Sequence, residues 1–459
     1  MKGWGSHAEA VDALAASYQA IAPGDPVRLA KRTSNLFRPR SGTDAPGLDV
    51  SGLDGVIAVN IPADSTADGS ATADVQGMCT YEALVDELLP LGYIPQVVPQ
   101  LRTITLGGAV TGLGIESTSF RSGLPHESVV EMDVLTGGGE VVSATPDGDH
   151  ADLFHAFPNS YGSLGYATRL RIRLEKVPGF VNLRHVRFDD ATSAAKTIGD
   201  IVEAGSYEGT RVDAIDGTAF EPGEIYLTLA AFTEEEAPTS DYAGQQIYYR
   251  SIQERDTDTL TMYDYLWRWD TDWFWCSGAF GAQNTWVRRV WPRRFRRSDV
   301  YHRLLALDAR IGFSGVLDRV KRIPGHEKVI QDIEVPLEAL PEFLSWFDAE
   351  IGMRPVWLCP LRATQVWPIY PLRPGETYVN VGFWGQVQVP AGSPPGLLNR
   401  RIEEKVHALG GHKSLYSEAF YDEETFDQMY GGDVLASVRA RYDPDGRLST
   451  LYEKAVRNS

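Results

Sequence analysis

A glycine-rich stretch, Val97 to Gly123 (VVPQLRTITLGGAVTGLGIESTSFRSG), constrains this chain more than any other part of it. Gly107, Gly108, Gly112, Gly114 and Gly123 stand among Thr103, Thr105, Thr111, Ser117, Thr118 and Ser119. A segment so poor in bulky side chains brings its backbone close to something else. Glycine tolerates positive φ and close approach, and successive backbone N–H groups form concavities that hold anions such as a pyrophosphate. The stretch therefore reads as an anion seat, with an unliganded glycine loop as the alternative.

At 459 residues the chain has room for two or three domains and a large core. A formal charge of -19 argues against general nucleic-acid binding, which needs a basic face. Cys79, Cys276 and Cys359 are isolated, which fits a reducing compartment with neither a disulfide framework nor a paired metal motif. The histidines show no metal-ligand spacing, so no metal site is expected. The N-terminus lacks the apolar core of a signal peptide, and no run of about eighteen apolar residues occurs. The expected location is the cytoplasm, with peripheral contact at the inner membrane face as an option.

Ala8–Ile21 has helical apolar spacing, and VRLAK (27–31) reads as a strand entering a small-residue turn at 32–38. Strands follow at Gly55–Asn60 and Thr72–Thr80, then a helix at Tyr81–Leu91 capped by Thr80 and stopped by Gly92. Ser128–Thr145 reads as two strands joined at Gly137–Gly139, followed by a helix at Ala151–Phe157 and a strand through Val177. Beyond Pro178 two β-α-β-β patterns recur, around Thr192–Ala204 and around Leu337–Ile351, which suggests one α+β unit with an antiparallel sheet. Between them, Asp256–Gly315 holds Trp267, Trp269, Trp273, Trp275, Trp286 and Trp291, and a basic island, WVRRVWPRRFRR.

The order of the turn at 33–38, TLGGAVTGLGIESTSFRSG, DVLTGGGEVV and DLFHAFPNSYGSLGYATRLRI resembles the flavin domain of the vanillyl-alcohol-oxidase superfamily, the PCMH-type FAD fold. The closing FDQMYGGDVLASVRARYDPDGRLSTLYEKAV is similar to the end of its aldonolactone-oxidase members. GIESTSFRSGL, VIQDIEVP, RPVWLCPL and LYSEAFYDEETFDQMYGG most resemble the 24-dehydrocholesterol reductase (Diminuto/DWARF) group. The resemblance implies an α+β fold: a two-lobed FAD-binding domain at 1–177, a substrate or cap domain at 178–432 with the insert 256–315, and a segment 433–459 returning to the FAD domain. FAD would lie with its pyrophosphate along Thr33, Ser34, Asn35, Phe37, Thr105, Gly107 and Gly108, and its ring near Gly112, Gly114, Glu116, Ser117 and Ser119. No His occurs in 31–42, so the FAD is expected to be non-covalent. Sugar-oxidising members carry Pro-His-x-x-Lys near the flavin, whereas this chain reads Gly411-His412-Lys413-Ser414-Leu415, which counts against alcohol oxidation.

Reducing an isolated alkene needs protonation to a tertiary carbocation, followed by hydride from reduced flavin. That demands a positioned acid, apolar surroundings and aromatic faces that tolerate a cation. Asp332 is the first candidate acid, with a solvated Asp332/Glu334 strand face as the alternative. Glu116 is the second, as acid or ribityl contact, and Tyr416 the third. Trp357, Trp367, Tyr370, Phe383 and Trp384 are read as lining residues or plain core, and His126 and His412 as structural. The favoured function is reduction of a 10-methylene fatty acyl chain to 10-methyl with NADPH as donor, because few lysines beside many arginines, alanines and glycines suggest a high-GC bacterium. Such an enzyme would take a fatty acyl or phospholipid substrate and work beside a methyltransferase. The alternatives are sterol Δ24 reduction, alcohol or aldonolactone oxidation, and a non-catalytic flavin or lipid scaffold. The island 286–297 reads either as a solvated arginine loop over a tryptophan subcore or as a dock for anionic membrane.

Overall fold

The structure is a computed structural model that describes residues 1–31, 37–38, 47–62, 71–311 and 325–457. Five strands lie in the order β1 (Val56–Asn60), β2 (Thr72–Gln76), β6 (Tyr166–Lys176), β4 (Val129–Leu135), β5 (Val141–Ala144), with β3 (Tyr93–Pro95) also on β6. The β2, β6 and β4 side chains alternate, sending Val75, Met132, Val134, Leu170 and Ile172 into the core. The helix Tyr81–Leu88 packs on this sheet. The Thr80 hydroxyl accepts from the Ala83 N–H, and Gly92 ends the turn at φ +79°.

VRLAK does not form a strand. Val27 N–H donates to the Arg447 carbonyl, and Leu29 makes only an isolated parallel bridge with Leu48. Its backbone bonds are split between Arg447 O and Leu48, which exchanges bonds with Arg28 and Ala30, so no ladder extends from it.

The second sheet joins both β-α-β-β patterns in one antiparallel array: β12 (Thr257–Thr261), β7 (Phe180–Phe188), β11 (Glu224–Thr233), β10 (Ala214–Glu221), β14 (Val356–Leu361), β15 (Tyr378–Gln388), β13 (His326–Pro336), β16 (His412–Lys413), while β8 (Ser206–Tyr207) and β9 (Thr210–Arg211) pair separately. One face packs on the helices Ala191–Ala204, Leu340–Glu350 and Leu397–Ala408 through Ile215, Leu358, Val381, Phe383, Ile333 and Val335. The other face turns toward the first sheet, and a single apolar core runs between the two, from Val56 through Trp357 to Ala455. No helix among the described residues is long and apolar enough to cross a membrane.

Candidate functional site

The glycine stretch folds as a short helix, Leu106–Gly112, and a loop that reaches the second sheet. Its glycines are needed for packing. A Cβ on Gly107 would lie 2.6 Å from the Gly77 carbonyl oxygen, one on Gly112 3.2 Å from the Tyr161 ring, and one on Gly114 3.0 and 3.1 Å from Pro125 and Pro99. The first amides of the helix are not a free anion cradle. Leu106 donates to Cys79 O, Gly107 to Gly77 O and Gly108 to Thr105 Oγ1. What faces outward at this corner is the Lys31 ammonium, 3.3 Å from Thr105 Oγ1 and 3.4 Å from Met78 Sδ. No carboxylate pairs with it among the described residues, and burial pulls its pKa down. A half-buried ammonium without an anion fits a pyrophosphate. Thr33, Ser34 and Asn35 lie outside the described residues. Phe37 is described, and its N–H donates to Tyr416 O.

Further along, the loop is stitched to the second sheet. Ser117 O accepts from Ile215 N–H, its hydroxyl meets Tyr265 Oη at 2.9 Å, and Ser119 O accepts from Arg362 N–H. The Ser119 hydroxyl accepts from Glu116 N–H. Glu116 is buried. Its oxygens accept from the Gln100 backbone at 2.7 Å and side chain at 2.5 Å, and burial pushes its carboxyl up to about 8. Tyr161 and Asn159 stand at positive φ, +48° and +59°, uncommon for such residues. The Tyr161 hydroxyl donates to Gly112 O and the Asn159 amide to Ile369 O, which pins this corner.

On the facing strands, β13 and β15, alternation aims Asp332 and Glu334 toward the loop, together with Asn380, Gly382 and Trp384. Gly382 opens a notch: a Cβ there would fall 2.4 Å from Asp332 Oδ1 and 2.7 Å from the Trp384 ring. Asp332 is half-buried, and the water its carboxyl loses raises it to about 7 against hydrogen bonds from Asn380 and Tyr416. The Trp384 indole N–H donates to Tyr416 Oη at 2.9 Å. Glu334 is fully buried, accepts from the Ser414 hydroxyl at 3.1 Å, and is held well above the usual carboxylate range by burial. The pair is therefore not a solvated strand face. Cys359, buried on the same face, has its thiol raised first by burial and then by Glu116 and Asp216.

Aromatic rings line this region. Trp273 and Phe274 both sit at positive φ, +46° and +57°, a strained pair of bulky residues. Their rings spread to opposite sides. Trp273 stacks on Phe37 at 5.9 Å, and Phe274 lies 4.5 Å from Trp384 and 5.6 Å from Trp357. Phe383 is a correction to the expected lining. It points to the other face of β15, 4.7 Å from Phe347, because it alternates with Trp384. Trp367 and Tyr370 sit apart from the tryptophan group, against His126 and His412 respectively. Burial lowers both of those imidazoles to about 4. Lys413 is spent on Glu403 at 2.6 Å.

Residues absent from the sequence reading hold this arrangement. Asp216 accepts from Arg268 at 2.8 Å, Trp269 Nε1 at 2.9 Å and Trp357 Nε1 at 3.3 Å, with Arg268 under the Tyr265 ring. Glu127 accepts from Leu124 N–H, Thr364 and Trp367 Nε1. No group of three or more metal-ligating side chains occurs among the described residues.

Residues 5–145 match the model of a family described as FAD binding domain. The chain is similar to Delta(24)-sterol reductase of Homo sapiens, 23% identical over 407 residues, 83% of this chain and 73% of that protein. It is similar to the Arabidopsis thaliana protein of that name, 25% identical over 420 residues, 84% of this chain and 73% of the other. A shorter likeness, 33% identical over 124 residues, joins it to cytokinin dehydrogenase 3 of Oryza sativa subsp. japonica, covering 27% of this chain and 23% of that one.

Proposed function

We propose that this chain, which belongs to the FAD-dependent oxidoreductases with a PCMH-type flavin domain, reduces an isolated carbon–carbon double bond in the apolar chain of a lipid, with NADPH as the electron source. Reduced FAD, when bound, supplies the hydride. The observation that carries the reading is Asp332, a carboxyl with pKa near 7 set in the Gly382 notch beside Tyr416, Trp384 and Phe274. Burial holds a proton on it well above the usual carboxylate range, the condition a general acid needs. Tyr416 and Asn380 orient the carboxyl, and the rings of Trp384 and Phe274 exclude water and face the positive charge left on a protonated alkene. Lys31, Thr105 and the loop to Ser119 would hold the cofactor.

A side-chain alkene of a sterol is the first substrate class, because similarity to the sterol reductases spans most of the chain. The 10-methylene acyl chain is the second, favoured by the lysine-poor composition. Both give a tertiary cation on protonation. Alcohol oxidation has nothing comparable, since Lys413 is committed to Glu403.

The test mixes the purified flavoprotein, without oxygen, with NADPH and separately with alcohols while flavin absorbance is followed. Bleaching by NADPH, then recovery of colour on adding one of the alkenes with a two-hydrogen gain in product mass, is the expected result and tells the two substrate classes apart. Bleaching by an alcohol and not by NADPH sinks the proposal.

A further inference from the structure

The basic island of the insert divides into two parts. Arg288 and Arg296 are buried. Arg288 pairs with Asp272 at 2.7 Å and donates to the carbonyls of Tyr242 and Gln246, while Arg296 donates to those of Ala243 and Trp291. Arg297 is taken by Glu82 at 2.7 Å. These three are structural. The remainder is a surface. Trp286 is 75% exposed and Val290 79%, and they lie on one helix face at i, i+4 spacing, with Phe295 exposed beside them. They are three of the ten exposed large apolar side chains among the described residues, gathered within ten residues, so the patch is not scattered surface hydrophobicity. Arg289 and Arg294 are exposed, form no ion pair among the described residues, and lie against Trp286 and Phe295 at 5.6 and 4.9 Å. Arg293 is paired with Asp241.

We infer that Trp286, Val290 and Phe295, flanked by Arg289 and Arg294, dock the protein on the surface of a bilayer containing anionic phospholipid. In a chain of charge -19, exposed arginines that form no ion pair among the described residues, set beside exposed rings, suit an anionic partner. Apolar side chains enter the acyl boundary while the guanidinium groups bind phosphate. The Trp291 indole N–H donates to Phe295 O, which ties the patch to the buried part of the insert. Trp291 stacks on Tyr301, Tyr301 donates to Thr271 O, and Trp273 follows with Phe37 and the aromatic group. An acidic protein surface would answer the charges but would not call for exposed tryptophan and valine aligned on one helix face.

The test is cosedimentation of the intact flavoprotein with phosphatidylcholine vesicles containing or lacking phosphatidylserine. Expected are binding that needs phosphatidylserine, a fall of tenfold or more between low and high salt, and a comparable loss in Trp286→Ser/Val290→Ser and in Arg289→Glu/Arg294→Glu. The substituted side chains are exposed, and unchanged melting and flavin absorbance verify that each variant is folded. Absence of binding to anionic vesicles, equal binding to neutral ones, or binding untouched by both variants overturns the inference. None of these outcomes depends on which alkene is reduced.

Discussion

Asp332→Asn keeps the shape of the notch and removes its proton. The variant is expected to retain FAD and be reduced normally by NADPH, while alkene turnover falls at least about a hundredfold, the usual weight of a general acid. In the parent, turnover under saturating substrate falls as pH rises through about 7, and that limb disappears in the variant. The stability sign is fixed by the same shift. The folded pKa lies above the ordinary 3.8, so the contribution of this carboxyl is fully present below about pH 4 and is lost as pH rises through about 7. The slope is about 1.4 kcal/mol per pH unit at most, reduced by the partial exposure of the group. Urea titrations of parent and variant across that window measure it. Lys31→Met has a different signature. A half-buried ammonium with no carboxylate beside it among the described residues costs the apoprotein, so its melting temperature holds or rises. FAD affinity, by fluorescence titration, falls about tenfold or more, or about 1.4 kcal/mol. A variant that binds FAD as the parent does removes Lys31 from the site.

At the scale of elements, a buried ion pair fastens the Trp-rich insert to the second sheet beyond the β12–β7 ladder. Asp216 on β10 and Arg268 are each about 1% exposed. Arg268→Met leaves the Asp216 carboxylate buried with only indole donors and is expected to cost about 3–5 kcal/mol in urea unfolding. Asp216→Asn in the same chain should recover part of that loss, and no recovery in the double variant removes the pair as the clamp. Little of this clamp was legible in the sequence. Asp216 and Arg268 are 52 residues apart, and the tryptophans follow neither a helical nor a strand period because two of the residues among them turn through positive φ. The two β-α-β-β units were legible because amphipathic helices punctuate them. The facing of β15 was not: VGFW is apolar throughout, as in a strand covered on both sides, and so hides that Phe383 and Trp384 point oppositely. Gly382 carried the missing signal, a small residue opposite Asp332 in the register. In the glycine stretch composition gave away close backbone approach. It did not reveal that the amides at 106–108 are consumed by Cys79, Gly77 and Thr105, leaving Lys31, inside what looked like a strand, as the cation.

For the whole molecule, the chain's end completes its beginning. Leu451 and Ala455 belong to the core shared by both sheets, and Leu448 packs with Leu14, Val27, Leu48 and Leu53. Tyr442 O accepts from Gly138 N–H, Arg447 O accepts from Val27 N–H, and the Arg447 guanidinium donates to the carbonyls of Asp25 and Ala22. Asp443 in turn caps Arg447 and Leu448 N–H groups and fills the space against Gly137, where a Cβ would fall 2.2 Å from its carboxyl oxygen. These contacts hold residues 21–31, which include Lys31, against the first sheet. A chain stopped after Gly432 therefore loses support at the cofactor corner rather than at the acid. It is expected to purify without yellow colour and to aggregate on warming. Arg447→Met, which removes only the guanidinium bonds, is expected to stay folded with an FAD affinity reduced several-fold and an unchanged pH limit near 7. Absorbance at the flavin band and pH–rate profiles measure both, and a truncated chain that keeps its flavin refutes the assignment of this segment to the cofactor side.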